Sequence, residues 1–430
     1  MIVMRIRKNT GKGAFDMNRP AYGMIHDSPA IAGNVPEKYP WLSEDRHCDV
    51  CIVGGGMTGA MCALAASGMD RSVVLLTAGA VGYGVTGSLT GGAEYDGGST
   101  LIALDRIIGT DEALRYYAMG MEALDDIGNL CAVLDGAYGG KGLKTGFRRC
   151  DSLLMTDDAS DLELMEREYL ARRAKFPGCT FLDAATAASS FDFACRGGIL
   201  TREGGAVFDP YAFTHLCLRK AAAQGTEIYE QTEAVDIQTP RNESGSVIIK
   251  TSTRRTVYAD RLILATGCDG IDAMTARTRR CRAFTAVAPP DAALTGWAGK
   301  CLVRTMHTFG RQPVSCVIRP DGSTAASAVC RHSGREWMGK IRETGDDAVF
   351  RRLGVCIEKL HSADAAIGVK YEYTEELTAP SDGLPIIGQD GRYQNCILAL
   401  TSPSVYFGDT GAPVFARIAA ATAIKHLHSL

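Results

Sequence analysis

Gly54, Gly56 and Gly59 stand at the spacing Gly-x-Gly-x-x-Gly, directly after the apolar run 50–53 and directly before an Ala-rich stretch that reads as a helix over 57–67. The spacing suits a pyrophosphate. A glycine at 54 permits a sharp turn, one at 56 removes the side chain that would block the phosphates, and one at 59 lets helix and strand pack closely. The unpaired N–H groups of the first helical turn, where Met57 and Thr58 stand, then face the anion. A second strand is expected over 72–76, so the glycines lie in the strand, turn, helix and strand order that a dinucleotide site requires. A second Gly-rich stretch follows. Its segment Gly82-Tyr83-Gly84-Val85-Thr86-Gly87-Ser88 offers main-chain N–H groups and hydroxyls that suit another anion cradle, with a plain surface loop as the alternative.

At 430 residues the chain is too long for one simple core and points to two or three domains. Apolar content of 46% beside 22% charged residues is that of a soluble globular protein. A net charge of -3 gives no reason to expect nucleic acid or an anionic membrane as partner. No apolar run approaches the ~20 residues of a membrane span. Residues 1–12 are basic, yet no apolar segment follows them, so no secretory signal is read and the expected compartment is the cytoplasm. Fifteen cysteines, an odd number scattered through apolar segments, read as reduced buried thiols. Cys48 and Cys51 form a Cys-x-x-Cys on a strand, where residues three apart face opposite ways; no zinc or redox pair, and no metal, is expected.

Residues 1–45 lack periodicity and read as an arm, anchored by Tyr39-Pro40-Trp41-Leu42. Apolar residues at helical spacing predict two helices over 100–134, with further helices over 162–175 and 211–224. Alternation predicts strands over 227–239, 246–252 and 255–264, the last running into Ala265-Thr266-Gly267. The region 281–328 reads as antiparallel sheet, 346–360 as a polar helix, 368–375 and 396–400 as strands, and 413–426 as the closing helix.

Five ordered segments carry a family likeness: Asp49 to Gly59, Gly82-x-Gly84-x-Thr86 with Tyr95, Phe208-Asp209-Pro210-Tyr211, Leu264-Ala265-Thr266-Gly267, and Asp382-Gly383-Leu384-Pro385-x-Ile387-Gly388. From about residue 38 onward the chain resembles the FAD-dependent oxidoreductases of the D-amino-acid oxidase, sarcosine oxidase and glycine oxidase type. Within them it looks most like the bacterial proteins related to gamma-glutamylputrescine oxidase. The resemblance implies an α/β fold, α+β overall. A Rossmann-like FAD-binding domain, discontinuous over 46–95, 200–275 and 376–430, is joined by a substrate or cap domain on an antiparallel sheet over 96–199 and 276–375. It implies non-covalent FAD, with Gly54, Gly56 and Gly59 along the pyrophosphate and the loop of Gly84, Thr86, Gly87 and Ser88 closing over it. Ala234 would sit by the adenine with Thr266 and Gly267 nearby, and Gly388 and Gly408 count among the cofactor contacts. The implied reaction is hydride transfer to flavin from the carbon bearing nitrogen in an amino acid or other primary or secondary amine. The imine then hydrolyses, and oxygen or another acceptor reoxidises the flavin.

Three places depart from that pattern. The family's acidic residue at the end of the second strand is Thr77 here, which loses a charged bidentate contact to ribose and weakens FAD by about 10- to 100-fold. The Gly-rich flavin loop before the last helix reads Thr401-Ser402-Pro403-Ser404-Val405-Tyr406-Phe407-Gly408-Asp409-Thr410-Gly411, and Pro403 has no N–H to give. The strand from Ser323 to His332 lacks the usual glycines and acids. These departures keep a second reading open, a degenerate member that binds a metabolite or partner. Arg319, Arg331, His332, His307, Tyr371 and Tyr373 are the substrate-side candidates: Arg for a carboxylate, Tyr or His to orient an amine. Cys316 loosely matches the cysteine that tethers flavin in some sarcosine oxidases. The oligomeric state stays open.

Overall fold

The computed structural model describes residues 2–5, 37–139, 143–176, 178–191, 193, 195–242, 244–267, 278–290, 301–306, 313–331, 346–361, 368–403 and 408–428. Among them the chain builds two nine-stranded sheets. The first has a parallel centre in the order Cys396–Leu400, Thr256–Leu264, Arg46–Val53, Val73–Leu76 and Glu227–Tyr229. Of these, Val73–Leu76 and Cys396–Leu400 read as unbroken apolar runs because both faces are covered. One face carries the helices Met57–Ser67, Pro210–Ala223 and Ala412–His428, and Val50, Ile52, Leu75 and Ile263 sink into them. The helix Met57–Ser67 is built of small and apolar residues and is buried almost all round. Val53, Leu76 and Leu264 fill the other face, over the strands Ala234–Thr239 and Val247–Thr251.

The second sheet runs in the order Tyr371–Pro380, Thr278–Ala288, Thr324–Arg331, Ser315–Ile318, Cys301–Thr305, Arg148–Thr156, Gly197–Val207 and Gly92–Glu94, with Cys179–Asp183 beside Gly197–Val207. It is antiparallel except where Cys301–Thr305 lies parallel to Arg148–Thr156. Its outer face packs on the helix Asp346–Leu360 through Phe350, Leu353 and Ile357. Its inner face meets the segment 88–98 and the start of the last helix.

Period-two geometry decides which residues reach the inner face. Ser315 and Val317 point inward, whereas Val314, Cys316 and Ile318 lie in the outer core with Phe350 and Leu353. Cys316 therefore faces the outer core, away from the inner face. One expectation is corrected at Cys48 and Cys51. Both side chains enter the same cluster as Leu42 and Val53 rather than opposite faces, and Cys48 helps to raise the Cys51 pKa. The Cys51 pKa is raised first by the neighbouring Cys48 and then by burial among apolar residues. Every cysteine among the described residues is a free thiol. The 227–239 stretch, read as one strand, is two, broken at Glu230–Glu233 where Gln231 has a positive φ.

Candidate functional site

The turn after Arg46–Val53 explains its glycines in atomic terms. Gly54 adopts φ +128°, and a Cβ there would overlap the carbonyl of Ala265. A Cβ on Gly59 would overlap the carbonyl oxygen of Gly54, so the helix can approach its strand this closely only with glycine. Gly56 is the helix N-cap and supplies no side-chain cap, and no acidic residue occupies the first turn. The N-terminal end of a buried helix is thus left to main-chain donors and hydroxyls, the chemistry an anionic diphosphate requires. Thr86 reaches it across the second Gly-rich stretch, where its Oγ1 accepts from Met57 N at 3.0 Å. Thr58 Oγ1 lies 2.7 Å from Thr401 Oγ1. These residues fit FAD phosphates.

Thr77 is buried at the end of Val73–Leu76, its side chain packed against Gly55. Its main chain is pinned on the next strand, Thr77 N donating to Tyr229 O at 3.0 Å and its own carbonyl accepting from Thr232 N at 2.8 Å. A carboxylate does stand one strand away, at Glu230, but it accepts from Tyr39 N at 3.0 Å and Val81 N at 2.7 Å. That carboxylate fixes the arm Tyr39–Leu42 and the start of the second Gly-rich stretch. It does not substitute for the acid missing at 77. Ala234 is buried at the head of its strand, and Thr266 and Gly267 follow Thr256–Leu264, with Gly267 at φ +65°. Gly388 lies in Ile386–Gln389, on the neighbour of Cys396–Leu400.

The short helix Val85–Ser88 holds Thr86, Gly87 and Ser88, with Gly84 as its N-cap. From the second sheet Tyr373 OH donates to Ser88 O at 3.1 Å, and Thr285 Oγ1 donates to the same carbonyl at 3.4 Å. Tyr373 is therefore a buried strut between sheet and loop; desolvation raises its pKa and the Arg319 charge lowers it. Arg319 is buried at 6% exposure, in a turn closed by Gly322 N donating to Arg319 O. Tyr371 is half-buried, with Lys370 Nζ 4.8 Å from its ring centre. The main chain of Arg331 pairs with Cys281. His307, His332 and the loop residues 404–407 lie outside the described residues.

Sequence reasoning missed the charged lattice between the sheets. Glu94 accepts from Ser152 Oγ at 2.6 Å, Arg304 Nε at 3.0 Å and Thr410 Oγ1 at 2.8 Å. Arg304 also donates to Asp96 at 2.5 Å and to Gly98 O at 2.8 Å. Arg172 joins Asp96 at 3.1 Å to Glu168 at 2.5 Å, and Glu168 caps the main chain at Leu101 and Ile102. All five charged groups are essentially solvent-free. Desolvation raises the Glu94 pKa, opposed by the Arg304 charge. Beside them Asp409 accepts from Thr90 N at 2.9 Å, Thr90 Oγ1 at 2.6 Å and Ser327 Oγ at 2.6 Å. The only sequence signal was the pair of acids flanking Tyr95, and nothing local marked Arg304 as their partner.

Comparison with known proteins follows the same lines. The profile of the DAO family, FAD dependent oxidoreductase, matches residues 49–421. The chain is 28% identical over 244 residues to the probable oxidoreductase OrdL of Rhizobium meliloti (strain 1021), covering 55% of this chain and 53% of that one. It is 31% identical over 93 residues to the gamma-glutamylputrescine oxidoreductase of Escherichia coli (strain K12), 22% of each protein. The chain thus spans about half the length, or less, of these curated relatives. Among solved structures, glycine oxidase from Geobacillus kaustophilus superposes with a TM-score of 0.70 at 15% identity, covering 89% of this chain and 95% of that one, which is likeness of fold. With a match that runs nearly from the first glycine motif to the last helix, the chain belongs to the DAO family of FAD-dependent oxidoreductases.

Proposed function

We propose that the chain binds FAD non-covalently and oxidises the C–N bond of an amino acid or another primary or secondary amine. The observation that carries this reading is where the described residues on either side of 404–407 stand, between Cys396–Leu400 and the last helix. Thr401 lies 2.7 Å from Thr58 on the glycine-motif helix, and Gly408 and Asp409 lie against Ser315 and Ser327 of the second sheet. A cofactor whose phosphates lie at Gly54–Gly59 and which reaches from Thr401 to Gly408 has its far end at the inner face of the second sheet. The names of a glycine oxidase with this fold and of a gamma-glutamylputrescine oxidoreductase among the relatives support an amine as substrate.

In this reading Gly54, Gly56, Met57, Thr58 and Gly59 hold the phosphates, with Thr86, Gly87 and Ser88 closing over them. Ala234, Thr266 and Gly267 flank the adenosine, Thr77 lines the ribose without a charged contact, and Gly84, Gly388 and Gly408 let the main chain come close. When bound, flavin supplies the two-electron acceptor. The chain's own residues orient and enclose. Arg319 offers a buried guanidinium for a substrate carboxylate, Tyr371 stands at the same end of the sheet, and Tyr373 with Thr285 fixes the covering loop through Ser88. The test is anaerobic mixing of the FAD-loaded protein with a panel of amino acids, amines and hydroxy compounds. Bleaching of the flavin by an amine, with ammonia or a shorter amine released, is the expected result. Bleaching by a hydroxy compound and by none of the amines overturns the reading.

A further inference from the structure

We propose that Tyr373, on the second sheet, is a positioning residue that gates cofactor exchange: its hydrogen bond to Ser88 O holds the short helix Val85–Ser88 down over the phosphate site, and FAD enters and leaves when that hold is released. The inference rests on the reading above, in which the FAD phosphates lie at Gly54–Gly59 beneath Thr86, Gly87 and Ser88. It adds a rate to that reading, set by a residue of the other sheet.

The helix Val85–Ser88 has few ties. It is four residues long, too short to hold its shape unaided. Apart from its own turns, three hydrogen bonds join it to the other described residues: Thr86 Oγ1 accepts from Met57 N at 3.0 Å, and Ser88 O accepts from Tyr373 OH at 3.1 Å and Thr285 Oγ1 at 3.4 Å. The first falls on the glycine-motif helix and the other two on the second sheet. The short helix thus bridges the two layers directly over the start of Met57–Ser67. Val85 adds an apolar anchor on the same side, packed against the cluster of Ala283, Val329 and Leu377. At the other end Gly84, with φ +84° and open space around its Cβ position, leaves the chain free to turn. A phenol has one proton to give, and Tyr373 spends its own on the Ser88 carbonyl, so the bond holds the helix equally with or without FAD beneath it. Weakening such a bond raises the open population of both states. Association and dissociation then quicken together, and their ratio stays. Loss of a residue that touches the cofactor acts instead on dissociation.

The test compares the wild-type protein with Tyr373→Phe and Val85→Ala. Association is followed by the change in flavin fluorescence when FAD is mixed with apoprotein in a stopped-flow instrument. Dissociation is followed by trapping released FAD with an excess of an unrelated apoflavoprotein. Y373F keeps the ring and loses the bond, and is expected to raise both rates roughly fivefold while the dissociation constant stays within about twofold of wild type. V85A loosens the same helix through its apolar anchor, and carries the same expectation should the Phe variant fail to fold. Rates unchanged in both variants, or a rise in dissociation alone, overturn the proposal and leave the cofactor reading intact. A wild-type protein that takes up no FAD removes both.

Discussion

At the glycine-motif end of the proposed cofactor path the groups on offer are main-chain amides and hydroxyls, drawn from two stretches close in sequence, around Gly54–Gly59 and Thr86. At the other end the corner 408–411 is held by acids and hydroxyls drawn from across the chain: Thr90, Glu94, Ser315 and Ser327, with Arg304 behind them. The first end is made by conformation and tolerates no added atoms. The second is made by charge and hydrogen bonds, and depends on partners that only the finished fold brings together. Damage at the first end should strike cofactor uptake directly. Damage at the second should first loosen the joint between the sheets.

The largest expected effect is at the charged end. Arg304→Met leaves Glu94 and Asp96 buried without their shared cation, and should cost about 3–5 kcal/mol in denaturant unfolding. A loss under about 1 kcal/mol would show that the lattice does not hold the sheets. Next is an acid sensitivity placed at the glycine end. His215 packs on Tyr211, with ring centres 4.4 Å apart, beneath Gly82, and its Nε2 has no hydrogen-bond partner among the described residues. Burial, with help from the Arg219 charge, lowers its pKa from 6.5 to about 4. Between those values the unfolded chain takes up a proton that the native state refuses, so stability falls as pH drops through that window, by up to about 3 kcal/mol. His215→Phe should flatten that part of the stability profile, and an unchanged slope would contradict the assignment.

Gly59→Ala forces the helix off its strand. It should cost about 1–3 kcal/mol of stability and abolish FAD uptake at micromolar protein, whereas S327A keeps it. The smallest effect is a gain. Thr77→Glu restores a charged acceptor and should lower the FAD dissociation constant about 10-fold, measured by flavin fluorescence on the apoprotein. No change would mean that the side chain, set against Gly55, does not face the ribose.

What could be read in advance follows the same division. The stretch 46–67 carries its own instructions, since apolar run, glycines and Ala-rich helix are adjacent, and the helix bounds Met57–Ser67 come out as expected. The last helix and Asp346–Leu360 were equally legible from periodicity. Arg148–Thr156 and Gly197–Val207 were not. The first opens with charged residues and the second carries paired glycines at each end, which weaken the strand signal; their pairing partners lie tens of residues away. The shared cluster of Cys48 and Cys51 escaped because strand alternation is an average that local twist can break. The bond from Arg304 to Glu94 spans 210 residues, and no local pattern marks it.

The most direct measurement is the visible absorption spectrum of the purified protein, before and after acid precipitation. The account predicts flavin bands, present on purification or after addition of FAD, that pass into the supernatant on precipitation, since Cys316 faces the outer core. A colourless protein that takes up no added FAD would contradict it.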